Sequence, residues 1–389
     1  MACIGVTGAI VLSIVAACTS DSRLRGSSTE GEPRDIALGN KVIRVLPSAL
    51  LPPVSNPYLF YWDFGPAPSF LGSVANAQGA GNETQAAEHE KAGRLPVIWT
   101  YGPEWPCGKT KEDFIKYYLS VIQPNRAHLV DEWQSARLGV PIGNPLSLFD
   151  PFGIRGAIEG IDQAKKRSQG AFILVAWRGE DSLLPLVEKG DVDCLLIEAY
   201  SHLSKTQPQF WAIRIPSVDA RIAKARSWGI IDRTIPWLGE IRSTDEYVPG
   251  HALTAAELEV QIRHYRETAP EMPGVAFYGN SNPDLARAAD ALCKKYFVDP
   301  APEVAILSPA GGAVLSPTSQ IVKAAASPKG GRTVREYRGF IDNRLVYIGS
   351  DSVFSWDFSR ETRGPHYLTV HAVDDNWNRG AAQVRIGIE

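Results

Sequence analysis

Two apolar stretches of the chain end in carboxylates, the side chains that commonly serve as general acids and bases. Residues 126–133 include the adjacent acids Asp131 and Glu132, and residues 192–202 include Glu198. Runs of four to eight apolar, branched residues predict strands that are covered on both faces. Acids at the carboxyl ends of such strands meet at the active face of a parallel α/β barrel, so we expect these acids to share a site.

Side-chain alternation indicates which acids face the same way. Alternate residues of a strand lie on one face, which groups Glu132 with His128 and separates it from Asp131. Glu198 then provides the natural counterpart of Glu132. We predict that these two glutamates form the catalytic pair, with Glu132 as the protonated acid. Asp131 and Glu240 are expected to assist as supporting or substrate-binding acids.

Glu240 ends a further apolar stretch at 234–241, where alternation groups it with Pro236 and Leu238. Each acid taken alone also fits a solvated or salt-bridged carboxylate at the start of a loop. Several acids at successive strand ends favour a site. An ionised group beside an apolar strand loses hydration free energy, so its presence at several strand ends indicates a functional reason.

Aromatic side chains lie beside these charges at the ends of the predicted strands. Faces of Trp and Tyr can hold pyranose rings, and rings next to charges are typical of a binding site. About half of the rings would equally fit the core of the barrel. The predicted substrate-binding residues are Trp62, Asp63, Trp99, Tyr101, Trp133, Trp177, Arg178, Tyr200, His202, Trp237, Tyr278 and Asn280.

Strands and helices alternate over residues 41–299, which predicts a parallel sheet with right-handed crossovers. We interpret it as a (β/α)8-type TIM barrel, although only seven β/α units are recognisable. The eighth strand is expected within 134–153 or at 41–47, unless the barrel is irregular, and 66–84 is read as loop. An open doubly wound sheet is the alternative, but no glycine-rich phosphate loop follows the first strand.

The pattern changes near residue 300, and residues 300–389 form the last predicted domain. Seven short strands separated by turn residues predict an antiparallel sandwich. The segments 306–309 (ILSP), 355–357 (SWD) and 372–374 (AVD) resemble those of bacterial immunoglobulin-like modules appended to secreted enzymes. The resemblance implies an immunoglobulin-like domain that acts as a spacer or wall-associated appendage, with carbohydrate binding as the alternative, and we expect it to fold alone.

Residues 40–298 resemble the TIM-barrel glycoside hydrolases in outline and in site composition. The resemblance implies hydrolysis of a polysaccharide or oligosaccharide by two carboxylates, without a cofactor or metal. In the largest retaining clan the acid follows an Asn at the end of the fourth strand, and the nucleophile ends the seventh. This chain lacks that Asn-Glu pair, and its seventh recognisable strand ends at 278–280 without an acid, so clan and stereochemistry stay open.

Other chemistries have weaker support in the sequence. Neither a G-x-S-x-G elbow nor an H-E-x-x-H motif is present. A metal-dependent barrel hydrolase is the alternative enzyme, with His128 and His202 approaching each other near the acids. The alternative without catalysis is a surface lipoprotein that binds glycans.

Residues 1–18 are apolar or small and end in VAAC, which resembles a bacterial lipobox with Cys18 as the lipidated residue. Residues 19–40 are expected to be a flexible tether. The protein is therefore predicted to be exported as an outer-membrane or cell-surface lipoprotein, or secreted through a plain signal peptide. The lipid is its only expected membrane contact. With a net charge of −3 and no basic run, nucleic acid is not an expected partner.

Overall fold

The structure is a computed structural model. It describes residues 74–101, 110–124, 126–131, 133, 151–168, 171–199, 208–238, 253–278, 282–342 and 344–389, together with three strands nearer the N-terminus. Two of those strands, β1 (Arg34–Leu38) and β2 (Lys41–Val45), pair antiparallel as a hairpin. Residues 41–47 were one expected source of a barrel strand. That expectation is wrong, because β2 pairs with β1, which itself lies within the predicted tether.

Eight parallel strands form a closed barrel, which confirms the expected fold. Each strand pairs with the next along the chain, and β10 closes on β3. The strands are β3 (Leu59–Trp62), β4 (Ala77–Ala80), β5 (Leu95–Tyr101), β6 (Ala127–Asp131), β7 (Phe172–Trp177), β8 (Cys194–Ala199), β9 (Thr234–Leu238) and β10 (Gly274–Phe277).

The eighth strand is β4, which lies within residues 66–84, a stretch predicted to be loop. Its sequence, Ala-Gln-Gly-Ala, carries no branched or aromatic residue, so strand propensity does not reveal it. All four residues are nevertheless buried, and they pair with β3 on one side and β5 on the other. Tertiary packing therefore decides this strand.

Helices follow the strands from β4 to β10, and several begin at a residue that caps the first turn. Thr254 accepts from the amide of Glu257, whose carboxylate accepts in return from the amide of Thr254 at 2.8 Å. Within the described residues, none of the helices is long and apolar enough to cross a membrane. The helices are α1 (Glu83–Lys91), α2 (Lys111–Val121), α3 (Pro151–Arg167), α4 (Leu184–Lys189), α5 (Pro208–Ser227), α6 (Ala255–Thr268) and α7 (Pro283–Cys293).

Two apolar layers hold the barrel together. One fills its interior with side chains such as Leu129, Leu174 and Leu196, and the other lies between the strands and the helices. Because successive strand residues alternate between the two layers, the clusters show directly which side chains point into the barrel.

The C-terminal residues form two antiparallel-rich sheets that pack face to face around Phe354, Phe358 and Leu368. One sheet has the order β11-β13-β16 and the other β12-β18-β17-β14-β15. The expected all-β fold is confirmed, with the two-residue strand β12 added to the seven expected. The strands are β11 (Glu303–Ser308), β12 (Val314–Leu315), β13 (Ser319–Ser327), β14 (Val334–Ile341), β15 (Arg344–Gly349), β16 (Val353–Asp357), β17 (Gly364–Asp374) and β18 (Arg379–Ile388).

This sandwich contacts the N-terminal end of the barrel through buried charges. Arg338 donates to Asp232, which precedes β9, at 2.6 Å. Arg379 donates to the carbonyl oxygen of Glu271, which precedes β10. Both arginines are buried, and neither segment of the barrel belongs to its C-terminal end. The contact therefore leaves the opposite end of the barrel uncovered by the sandwich.

Candidate functional site

The inward faces of six strands end in side chains that can bind or react. The interior cluster contains Leu129, Leu196 and Ala276, which fixes the inward parity of β6, β8 and β10. The same parity on β5, β7 and β9 follows from Val97, Ala176 and Ile235. We call the carboxyl-end opening of the barrel the mouth. Its described inward residues are Trp99, Asp131, Arg178, Glu198, Trp237 and Tyr278.

The strand register places two of these acids at one level. Extending the register once around the barrel leads from Asp131 to position 123, a displacement of eight residues. This displacement is the shear of the barrel, eight residues over eight strands. Positions at the same height along the barrel axis therefore shift by one residue, relative to the hydrogen-bonded register, from each strand to the next. Inward side chains of alternate strands then lie in the same layer. Asp131, Glu198 and Tyr278 satisfy this relation, so they form one layer from β6, β8 and β10.

The rings of Trp99 and Trp237 form the layer one residue deeper, and Tyr278 packs against Trp237 from the layer of the acids. The ring centroids of Trp99 and Trp237 lie 6.4 Å apart with planes at 63°, and those of Trp237 and Tyr278 lie 6.0 Å apart at 87°. Trp237 is buried, whereas Trp99 and Tyr278 are half-buried. These edge-to-face contacts make an aromatic floor of Trp99 and Trp237 under the acids, in which the buried Trp237 supports Trp99 and the half-buried Trp99 leaves part of its ring open to a ligand.

Glu198 is held by an ion pair across two strands. Nε of Arg178 donates to Oε2 of Glu198 at 2.7 Å, and the glutamate side chain is only 9 % exposed. The Cα of Glu198 is paired with that of Trp237, so the carboxylate stands beside the aromatic floor. A guanidinium at this distance favours the ionised carboxylate.

Asp131 is the acid of β6 that shares the inward face, which corrects the predicted alternation. His128 and Val130 point outward toward the helices, since Val130 belongs to the outer apolar layer and His128 bonds to Thr100 and to the amide of Gln123. Asp131 instead continues the inward face and is buried. The expectation that Glu132 belongs with an inward His128 is therefore wrong, and the catalytic role of Glu132 stays a prediction.

The outward position of His128 also separates it from the acids. Burial, first of all, lowers its pKa to about 4. Its Nε2 accepts from the amide of Gln123 at 3.0 Å, a role that only the neutral ring can fill. His128 is thus not the metal ligand beside the acids that the alternative enzyme requires. Within the described residues, no group of three or more His, Cys, Asp or Glu side chains is placed to hold a metal ion.

Two of the predicted sugar platforms are core residues. Trp133 and Trp177 are fully buried in the outer apolar layer. Their indole N–H groups donate to the carbonyl oxygens of Ala176 and Glu180, and the ring of Trp177 lies 5.0 Å from that of Trp228. Neither ring offers a face to a ligand, so both predictions are corrected. Trp177 has the outward parity of Ile173 and Val175 on β7, and Trp133 lies beyond the end of β6 in the outer layer.

Several predicted site residues lie outside the described part of the chain. On β9 the inward residues are Ile235 and Trp237 while Leu238 faces the helices, opposite to the alternation expected for Glu240. Only the backbone is described at Trp62 and Tyr101. The residues that lie outside the described ones are Cys18, Asp63, Glu132, Tyr200, His202, Glu240 and Asn280.

The sequence reading did not identify the residues that support Glu198 from behind. Arg221 on α5 donates from Nη1 to the carbonyl oxygen of Glu198 at 2.6 Å. Glu180 accepts from the amide of Arg178 at 3.0 Å. Arg221 lies 23 positions from its partner, and no local pattern indicates the pairing.

No protein-family model and no curated protein sequence matches the chain. Among solved structures it is similar to an endo-β-1,4-mannanase from Thermotoga petrophila, with 10% identity, a TM-score of 0.32 and coverage of 78% of this chain and 81% of that one. It is also similar to a trimodular endoglucanase of the GH5_4 subfamily, with 8% identity, a TM-score of 0.37 and coverage of 86% of this chain and 79% of that one. Similarity to Bacteroides uniformis β-glucuronidase 2 has 12% identity and a TM-score of 0.39, and it covers 85% of this chain and 46% of that one. Values this low carry no argument about activity.

Proposed function

We propose that the protein hydrolyses glycosidic bonds in a polysaccharide or oligosaccharide at the mouth of the barrel. The observation that supports this is one layer of inward acids, Asp131 and Glu198, above the aromatic floor of Trp99 and Trp237. Active sites of such barrels lie at this end. Paired carboxyl groups provide the acid and base of glycoside hydrolysis, and aromatic rings provide the sugar contacts.

Glycoside hydrolysis requires two acids in different roles. Glu198 is paired with Arg178 and serves as the ionised carboxylate, acting on the anomeric carbon or on the attacking water. The proton donor comes from the end of β6, where Asp131 and Glu132 are adjacent. The glycosidic C–O bond breaks, the donor's proton goes to the leaving oxygen, and water supplies the new hydroxyl group and returns a proton.

Counting β4 changes the comparison with the retaining glycosidase clan. The strand β6 becomes the fourth of the barrel and β9 the seventh. Glu132 directly follows the fourth strand, and Glu240 comes two residues after the seventh. These are the strand positions where that clan has its acid and its nucleophile, although Asp131 replaces the expected Asn. Glu240 thereby becomes a second candidate for the ionised role.

Release of new reducing ends from a panel of polysaccharides and oligosaccharides tests the activity. We expect hydrolysis by the parent protein and a loss of about 10²–10⁴-fold in rate in Glu198→Gln and in Glu132→Gln or Asp131→Asn, with glycan binding retained. A Glu240→Gln variant shows whether the seventh strand supplies the nucleophile. Binding without release would favour a glycan-binding protein, and activity abolished by a chelator, with metal found by elemental analysis, would favour the metal-dependent enzyme.

We also propose that the protein is exported and that Cys18 carries lipid. The support is the VAAC sequence at 15–18 after an apolar run. A Cys18→Ala variant should then leave the membrane fraction and appear in the soluble exported fraction, as followed by immunoblotting. Unchanged fractionation of this variant would instead favour a plain signal peptide.

A further inference from the structure

The turn after β7 is fixed from several sides. The carboxylate of Glu180 accepts from the amide of Arg178 at 3.0 Å, and the Glu180 carbonyl accepts from the indole of Trp177 at 3.0 Å. Nζ of Lys224 on α5 donates to the carbonyl oxygen of Gly179 at 2.8 Å. Gly179 has a φ of +110°, a backbone conformation that residues with a side chain rarely adopt. These contacts fix the backbone of the turn at Arg178, from which its side chain extends to the mouth.

Glu198 is fixed by the same helix and the same turn. Its carboxylate accepts from Nε of Arg178 at 2.7 Å, and its backbone carbonyl accepts from Arg221 at 2.6 Å. Arg221 also covers Gly179, where an added Cβ would lie 3.3 Å from Cγ of the arginine. The two arginines therefore connect β8, the turn and α5. A nearly buried carboxylate requires such partners, because an unpaired charge in this position is costly.

We propose that Arg178 is a positioning residue, which keeps Glu198 ionised and holds its carboxylate in the layer of Asp131. This inference rests on the proposed function. Arg178 and Arg221 approach Glu198 from β7 and α5, while Asp131 and Tyr278 stand in its layer on β6 and β10. Glu180, Lys224 and Asp181 surround the turn itself. The guanidinium of Arg178 favours the charged form of Glu198, and the like charge of Asp131 opposes it.

The pH dependence of hydrolysis tests this role with two variants of similar size. Arg178→Gln removes the charge, and we expect the acid limb of the kcat/KM profile to move up by about one pH unit or more. Arg178→Lys retains a positive charge and should keep most of the original limb. Arg226→Gln removes a comparable guanidinium, which pairs with Glu271 away from the mouth, and should leave the profile unchanged.

A titration that needs no substrate separates this inference from the proposed function. Carbon-13 NMR of carboxyl-labelled glutamate follows Glu198, whose resonance is assigned from its absence in Glu198→Gln. We expect its midpoint to rise in Arg178→Gln and to rise less in Arg178→Lys, with both variants checked for folding by thermal melting. An unchanged midpoint in folded Arg178→Gln overturns the positioning role. If that shift occurs but no glycan is hydrolysed, the proposed function fails and the ion pair's effect stands.

Discussion

Glu198 and Asp131 are acids of one layer at the mouth of the barrel. The carboxylate of Glu198 meets a guanidinium at 2.7 Å, while Asp131 lies two strands away on the inward face of β6. A cation beside one of two paired carboxyl groups separates their protonation behaviour, which is what acid and base roles require. The sequence identified both residues as site acids. It could not identify the Arg221 support, which depends on how α5 packs on β8.

His128 should make the barrel sensitive to acid. Its pKa is lowered to about 4 in the folded protein, against about 6.5 in the unfolded chain. The unfolded chain therefore binds more protons between these values, and stability falls as pH decreases from 6.5 to 4. We expect His128 to account for a loss of about 2–3 kcal/mol by pH 4.5.

Urea unfolding at pH 7.5 and 4.5 measures this loss, with His128→Asn as the comparison. Asparagine keeps an acceptor for the amide of Gln123 but does not titrate. The comparison must be between variant and parent, because burial and then Asp162 raise the pKa of Asp191 to about 6, which acts with the opposite sign. An equal pH dependence in the two proteins would show that His128 is not responsible.

At the scale of elements, the close contact of α2 with α3 depends on glycine. A Cβ at Gly160 would lie 2.8 Å from Cδ2 of the fully buried Tyr118 and 3.0 Å from the carbonyl oxygen of Phe114. Alanine favours the helix by about 1 kcal/mol over glycine, but overpacking costs about 1–3 kcal/mol. We expect Gly160→Ala to be destabilising by about 1–2 kcal/mol in chemical unfolding.

Gly156, one turn earlier on α3, provides a graded comparison for that prediction. Its added Cβ would meet Cδ2 of Phe114 at 3.1 Å, a milder approach. Gly156→Ala should therefore lose less stability than Gly160→Ala. A Gly160→Ala variant as stable as the parent would mean that the two helices can separate at little cost.

The positions of the strands were more predictable from the sequence than the faces to which their side chains point. Apolar runs that end in a charged residue identified β6 and β8 correctly, because both strands are buried and contain branched apolar residues. The face of each strand depends on the register with its neighbours, so β6 and β9 were assigned opposite to the observed alternation. The small residues of β4 concealed a whole strand, and with it the true count of strands.

At the scale of the whole molecule, the sandwich is attached to the barrel by buried charge. Arg338 is 7 % exposed and bonds to both Asp232 and Glu336. Because its removal would leave two partly buried carboxylates without this cation, Arg338→Met should be destabilising by about 3–5 kcal/mol in chemical unfolding. Arg287→Met, which breaks the exposed pair with Asp284, should change stability by at most about 1 kcal/mol.

Equal effects of these two substitutions would mean that the contact between sandwich and barrel contributes little. The expected spacer role predicts that the barrel is unaffected when the chain is cut near Pro300. The buried contacts of Arg338 and Arg379 favour a different result, a barrel that is less stable alone. Sequence pattern identified the sandwich strands but not this contact, since its partners are more than 100 positions apart.

A crystal structure of the Glu198→Gln variant with an oligosaccharide of the hydrolysed glycan tests the central claim most directly. We expect a sugar ring within about 4 Å of the aromatic floor, the usual contact distance for apolar groups, with a glycosidic oxygen between the end of β6 and residue 198. Binding confined to the sandwich, or to the N-terminal end of the barrel, would contradict the assignment of the mouth as the active site.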